Sequence, residues 1–337
     1  MSKRISELVN EIVDKPAVSP EGRPVKSGQK NRVHILALGD VGATMLIGLK
    51  LLGADVISVI GIYDIQPENL RRLEMEMNQI GYPDGEELPA VEIIDEEHLF
   101  DCDVMIFCAS KGVPPVEGGA QQDVRMVQLE ANREIIAHYA ALAKRADYQG
   151  LVCIVSDPVD PLAAAFLDAS GLRPWQIQGY GLGVMAQRAL YYAKQAGKTG
   201  EQTDAPMARY LREGRAFGPH GEDLVIANSI GHYDDEASRE LTRLAVEANL
   251  RVRELGYKPY IAPALSSAAL SILMTLRGQW HYGSLYFGDK TRGAFLGLYN
   301  RLTENGWEYE DDPLPDALYE RILTAYQHLC ALRQDRA

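Results

Sequence analysis

The sequence is short of everything that would commit it to a membrane, a nucleic acid or a disulfide scaffold. It has no apolar run of about 18 residues and no charged-then-apolar leader, so neither a membrane span nor a secretory signal is expected, and the cytoplasm is the default compartment. It has no basic excess: 34 Lys and Arg stand against 47 Asp and Glu, a formal charge of −13. Nucleic acids and anionic membranes both need a basic face, so neither is an expected partner. Its four cysteines, Cys102, Cys108, Cys153 and Cys330, show no CxxC spacing. Cys108 and Cys153 lie inside apolar runs and read as small core residues of a protein in a reducing compartment, with no metal site assigned. What remains is an ordinary globular composition, 46% hydrophobic and 24% charged over 337 residues. That length can bury a large core and suits two lobes.

The N-terminal 30 residues divide into an amphipathic piece, with Ile5, Leu8, Val9, Ile12 and Val13 at helical spacing, and a Pro-, Gly-, Ser- and Lys-rich tether from Pro16 to Lys30. A lone helix this short is marginal in water and must dock, on this subunit or a neighbour, or else fray.

From Arg32 the pattern changes. Val33 to Leu38 is a nearly continuous apolar run, as a parallel strand buried on both faces would be. Gly39, Asp40, Val41 and Gly42 follow, then a helical stretch from Ala43 to Leu52 and a second apolar run, Val56 to Tyr63, ending at Asp64. Glycine lets the backbone approach a pyrophosphate, a helix N-terminus favours that anion, and a carboxylate at the next strand end accepts hydrogen bonds from a ribose 2′-hydroxyl. Asp64 lies 22 positions after Gly42, near the expected interval. An acid there repels a 2′-phosphate, so NAD is favoured over NADP. The glycine pattern is incomplete, with alanine at its first position: Ala37-x-Gly39-x-x-Gly42.

The next segments read as a doubly wound domain: a helix over Pro67 to Ile80, strands at Val91 to Ile94, Val104 to Ala109 and Leu151 to Val155, and a long helix from about Asp123 to Lys144. Between Ser110 and Gln122 lies a Gly- and Pro-rich stretch too long for a tight connection, read as a mobile lid. Ligands of such sheets bind beyond the carboxyl ends of the strands. Gly39, Asp64, Ala109 and Asp157 all sit at such ends. Elsewhere, Phe217-Gly218-Pro219-His220-Gly221-Glu222-Asp223 sets a histidine between glycines and beside carboxylates, the best place in the chain for proton chemistry.

Five blocks in order give the chain its resemblance to the lactate and malate dehydrogenase family: Ala37-Leu38-Gly39-Asp40-Val41-Gly42; Tyr63-Asp64-Ile65; Arg125 followed by Asn132; Ser156-Asp157-Pro158-Val159-Asp160; and Gly218-Pro219-His220-Gly221-Glu222. The likeness runs over roughly residues 32 to 335 and includes Gly179-Tyr180-Gly181 entering a helix with Arg188. It implies an α/β fold, a Rossmann-type doubly wound parallel sheet with a second α+β substrate domain. The expected division is an arm at 1–30, a dinucleotide-binding domain at 31–178 and a catalytic domain at 179–337. It also implies NAD as cofactor, a small carboxylate substrate and a homodimer or homotetramer. By the same resemblance His220 removes the hydroxyl proton, Arg188 grips the substrate carboxylate and Arg125, on the lid, polarises the carbonyl. Arginine suits both roles because its planar fork stays charged. Gly39, Asp40, Val41, Gly42, Asp64, Ile65, Ala109 and Ser156 are the expected cofactor contacts.

Three departures stand out. Where the family has an aspartate that orients the histidine, this chain has Met185. Asp157, at a position where the family has asparagine, is the leading substitute; Glu222 and Asp223 are nearer in sequence. The lid from Ala109 to Arg125 is longer than usual, and an ungapped count places Gly119 at the specificity position, with Gln121 and Gln122 nearby. Lys258 replaces a small polar residue that borders the substrate, and either binds a second acidic group or is solvated. The expected activity is hydride transfer between nicotinamide and a 2-hydroxy or 2-oxo acid. An imine or amine-bearing substrate, or an NAD-binding sensor or assembly protein with weakened catalysis, are the alternatives.

Overall fold

The computed structural model describes residues 3–13, 22–25, 29–85, 87–111, 124–198, 205–289 and 291–334, with the backbone alone at 124–128 and 198. Six strands form its first half: β1 (Asn31–Leu36), β2 (Ile57–Tyr63), β3 (Ala90–Ile93), β4 (Val104–Phe107), β5 (Leu151–Ile154) and β6 (Ile177–Gly179). They pair in parallel in the order β3-β2-β1-β4-β5-β6. Helices α1 (Asp40–Leu52), α2 (Pro67–Asn78), α3 (Val124–Arg145) and α4 (Val159–Ser170) make the crossovers.

The apolar runs are explained by what each face meets. Val104, Ile106, Leu151 and Cys153 join one core, with residues of α1 and α2. Met105, Phe107, Val152 and Ile154 join the other, with residues of α3 and α4. Alternate residues of a strand point to opposite faces, and here both faces are covered, so both sets are apolar.

The second half comprises α5 (Leu182–Lys198), α6 (Tyr210–Glu213), β7 (Arg215–Phe217), β8 (Val225–Ala227), α7 (Asp235–Glu254), α8 (Leu270–Leu276), β9 (His281–Gly288), β10 (Gly293–Thr303), β11 (Gly306–Tyr309) and α9 (Asp316–Gln334). It does not build a separate sheet from β9, β10 and β11. These three extend the first sheet antiparallel, giving nine strands, and the join is a single registered pair, Gly179 with Ser284. A Cβ on Gly179 would lie 2.1 Å from the Ser284 Oγ, so the join needs glycine. β7 and β8 form a small hairpin-like sheet of their own.

Two local features aim the chain at the strand ends. Asp234 caps α7, its carboxylate accepting from the Ala237 N–H at 2.9 Å. Before α8, Pro263–Ala269 is a π-helical turn, a form that recurs at functional sites. Its Ser267 hydroxyl donates to the Gly181 carbonyl at 2.7 Å and accepts from the Val184 N–H at 2.8 Å, fixing the entry to α5.

The N-terminal piece is a 3-10 helix, Ile5–Glu11, rather than a regular α-helix. It docks on its own chain. Ile5, Leu8 and Val9 are buried, the Ser6 hydroxyl and N–H both donate to Asp311, and the Leu314 N–H donates to the Lys3 carbonyl at 2.9 Å. No helix among the described residues is long and apolar enough to cross a membrane.

Candidate active site

The first strand end carries a turn that only a small residue permits. Ala37 has φ +73°, and its N–H donates to the Tyr63 carbonyl at 2.8 Å. A Cβ on Gly42 would come 2.1 Å from the Ala37 carbonyl oxygen, which explains the glycine there. At Gly39 a Cβ would meet nothing within 4 Å among the described residues, leaving open space before the first turn of α1. The exposed amides and dipole of that turn suit a diphosphate. Asp64 completes the frame: one oxygen accepts the Leu38 N–H at 2.7 Å, the other the Gln66 N–H at 2.9 Å. A carboxylate has about four acceptor positions, so ribose hydroxyls still find room there. Ile65 is 82% exposed beside it. These residues fit a dinucleotide.

The ends of β4 and β5 are stitched by a buried amide. The Asn132 side chain accepts the Lys111 N–H at 2.9 Å and donates to the Asp157 carbonyl at 3.1 Å. Ser156 donates to the Ala109 carbonyl at 2.8 Å, and the Asp157-Pro158 peptide bond is cis. Ala109 and Ser156 therefore serve the frame through mutual contact.

His220 arrives from the far half of the chain. The left-handed Gly218, φ +85°, turns the loop, and its N–H donates to the Gly297 carbonyl of β10 at 2.9 Å. The histidine then packs so closely on Gly181 that a Cβ there would lie 2.9 Å from its own. Its Nδ1 meets Asp157 Oδ1 at 3.1 Å, the imidazole 15% and the carboxylate 50% exposed. Both line a cavity of about 190 Å³ with Val41, Cys108, Val155 and Pro263. The acids nearer in sequence lie elsewhere: Asp223 faces His328 at 3.2 Å, and Glu222 lines a groove of about 860 Å³ between α7 and α9. That groove is larger, but its arginines are mostly engaged by their own neighbours: Arg243 by Glu240 and Glu247, Arg239 by Asp235.

Met185 lies on the buried face of α5. Its sulfur accepts from Arg188 Nη1 at 3.3 Å, and Arg188 Nη2 donates to Asn249 Oδ1 on α7. Burial lowers the Arg188 pKa while the field of Asp157 opposes the shift. Asp160 lies deeper. Burial pushes its carboxyl up to about 7, against the pull of the neighbouring Ser284 and His220. The Ser284 hydroxyl itself is buried without a well-formed hydrogen bond among the described residues.

Some predicted positions stay apart or out of view. Lys258 is exposed and pairs with Asp40 at 3.1 Å. Gly119, Gln121 and Gln122 lie outside the described residues, as does the Arg125 side chain, although its backbone belongs to α3. Asn249 escapes sequence reading because nothing local marks one amide on a long amphipathic helix. Asp160 is visible in the sequence as the last residue of the Ser156-Asp157-Pro158-Val159-Asp160 block, but its burial is not.

Residues 31–179 match the family model for the lactate/malate dehydrogenase NAD-binding domain. A malate dehydrogenase of Sulfurimonas denitrificans is 25% identical over 217 residues, 64% of this chain and 62% of that protein, so the chain spans less than two thirds of that relative. An L-lactate dehydrogenase of Mesomycoplasma hyopneumoniae is 24% identical over 82% of this chain and 88% of its own length. Among solved structures, the malate dehydrogenase of Archaeoglobus fulgidus in complex with NADH superposes with a TM-score of 0.70 at 18% identity, covering 90% of this chain and 99% of that one. With the glycine turn, Asp64 and the parallel sheet order in place, residues 31–179 are a nucleotide-binding domain of the lactate/malate dehydrogenase type, and its cofactor is NAD.

Proposed function

We propose that the protein is an NAD-dependent oxidoreductase that moves a hydride between nicotinamide and a 2-hydroxy or 2-oxo acid. The observation that carries this reading is the His220–Asp157 contact at 3.1 Å, beside the ends of β4 and β5. With Nδ1–H donated to Asp157, Nε2 presents a lone pair to the substrate hydroxyl. The hydroxyl proton passes to Nε2 as the C2 hydride leaves, and returns to the carbonyl oxygen in reduction. NAD supplies the hydride acceptor. Arg188 grips the carboxylate, its fork held by Asn249 and the Met185 sulfur. Arg125 polarises the carbonyl, and Gly119, Gln121 and Gln122 border the substrate side chain.

Asp157 thus fills the role for which Met185 is unsuited, which supports turnover over a role as a nucleotide sensor. Its half-exposed carboxylate also keeps a second reading open, a substrate whose amine or imine pairs with Asp157. NADH oxidation across 2-oxo acids with and without amino groups tests both. No oxidation of any of them, or equal rates for His220→Asn and the wild type, would sink the activity.

The division proposed is an arm at 1–30, a dinucleotide-binding domain at 31–178 and a catalytic domain at 179–337. The end of β6 at Gly179 supports the second boundary. A homodimer or homotetramer in the cytoplasm completes the reading. Its support is an apolar surface on α1 and the π-turn region, where Ile47, Leu51, Ile261 and Leu270 are exposed. Sedimentation of the purified chain tests the assembly.

A further inference from the structure

Asp40 is the first residue of α1, so its carboxylate stands beside the amides that face the cofactor diphosphate. An acid there repels the diphosphate unless a cation neutralises it. The chain supplies one from 218 positions away: Lys258, in the loop between α7 and the π-turn, holds Asp40 Oδ2 at 3.1 Å. At 77% and 51% exposure the two side chains form a surface pair, which adds little to stability. Position is what distinguishes it. Val41, next to Asp40, and Pro263, just beyond Lys258, both line the cavity that holds His220. The pair therefore ties the two walls together at the rim of that cavity, in front of the anion-binding turn.

We propose that Lys258 is a ligand for the diphosphate of NAD, held at the mouth of the site by Asp40 and shared between the two anions once the cofactor is bound. A lysine suits this position because its ammonium is compact, rotates on a flexible stem and can donate three hydrogen bonds to two acceptors at once. Asp40 keeps that stem turned toward the diphosphate position. The role concerns the cofactor's phosphates, so it stands whatever the acid substrate is.

Calorimetric titration of the full chain with NADH, ADP-ribose and adenosine separates phosphate recognition from binding of the base. Lys258→Met is expected to weaken NADH and ADP-ribose about tenfold, to leave adenosine unchanged and to flatten the salt dependence of the first two. Lys258→Arg is expected to keep most of the affinity, and Asp40→Asn to recover part of what Lys258→Met loses when the two are combined. Wild-type affinity for NADH in Lys258→Met, or an equal loss for adenosine, would overturn the proposal. A wild-type protein that binds none of the three would overturn both the proposal and the cofactor assignment.

Discussion

His220 Nδ1 and Asp157 Oδ1 meet at 3.1 Å although 63 positions separate them, one on a glycine-flanked loop of the second half and the other at the end of a parallel strand of the first. A carboxylate on Nδ1 fixes the tautomer that leaves Nε2 basic; an amide in its place can stabilise the wrong one, which in the serine-protease triad costs about 10⁴ in rate. Asp157→Asn is expected to lower kcat by about 10² to 10⁴ with a small change in KM, measured by steady-state NADH oxidation. A loss under twofold would remove Asp157 from the mechanism.

Arg188 has a sulfur and an amide as hydrogen-bond partners, and neither competes for its charge. Asn249→Ala releases the fork, so KM for the oxo acid is expected to rise about tenfold at nearly constant kcat. Met185→Asp places a carboxylate where the sulfur now meets Arg188, and should raise KM further by occupying the guanidinium. Equal KM values for the wild type and both variants would place the substrate carboxylate elsewhere.

Asp160 ties stability to pH. Its folded pKa, about 7, lies above the ordinary 3.8, so the native state holds a proton that the unfolded chain releases. The stabilisation is fully present below about pH 4 and is lost as pH rises through 7, with a slope of up to about 1.4 kcal/mol per pH unit. Asp160→Asn should flatten the fall of Tm across that window. A parallel fall in both proteins would show that other groups set the slope.

Ala37 occupies a left-handed conformation, φ +73°, that costs a non-glycine residue roughly 1 kcal/mol. Ala37→Gly is therefore expected to raise Tm or leave it unchanged, the unfolded chain's extra freedom offsetting part of the gain. Gly42→Ala should abolish NADH binding, because its methyl meets the Ala37 carbonyl. Thermal melts and calorimetry check the two; a Gly42→Ala protein with wild-type affinity would contradict the packing of that turn.

What the chain discloses before folding is local. Continuous apolar runs at Val104 and Leu151 signal strands buried on both faces because each residue reports its own environment. Gly39, Gly42 and Asp64 are legible because a phosphate-binding turn is built within one βαβ unit. Asp157 can be named as a substitute partner only by asking what Met185 cannot do. The 3-10 form of the N-terminal piece is hidden, since 3-10 and α-helices share nearly the same apolar spacing. Asn249 beside Arg188 and Lys258 beside Asp40 are hidden too, because each contact depends on how whole elements pack.

The join at Gly179 and Ser284 carries a consequence for how this protein can change. A β-sheet shared by two regions makes them poor units of exchange, since each supplies an edge to the other. A crossover placed inside β6 would separate Gly179 from the strand it ends, and any side chain brought to position 179 would strike the Ser284 hydroxyl. A workable chimera must therefore carry β6 and β9 from the same parent, and its crossover points belong in surface loops far from the sheet.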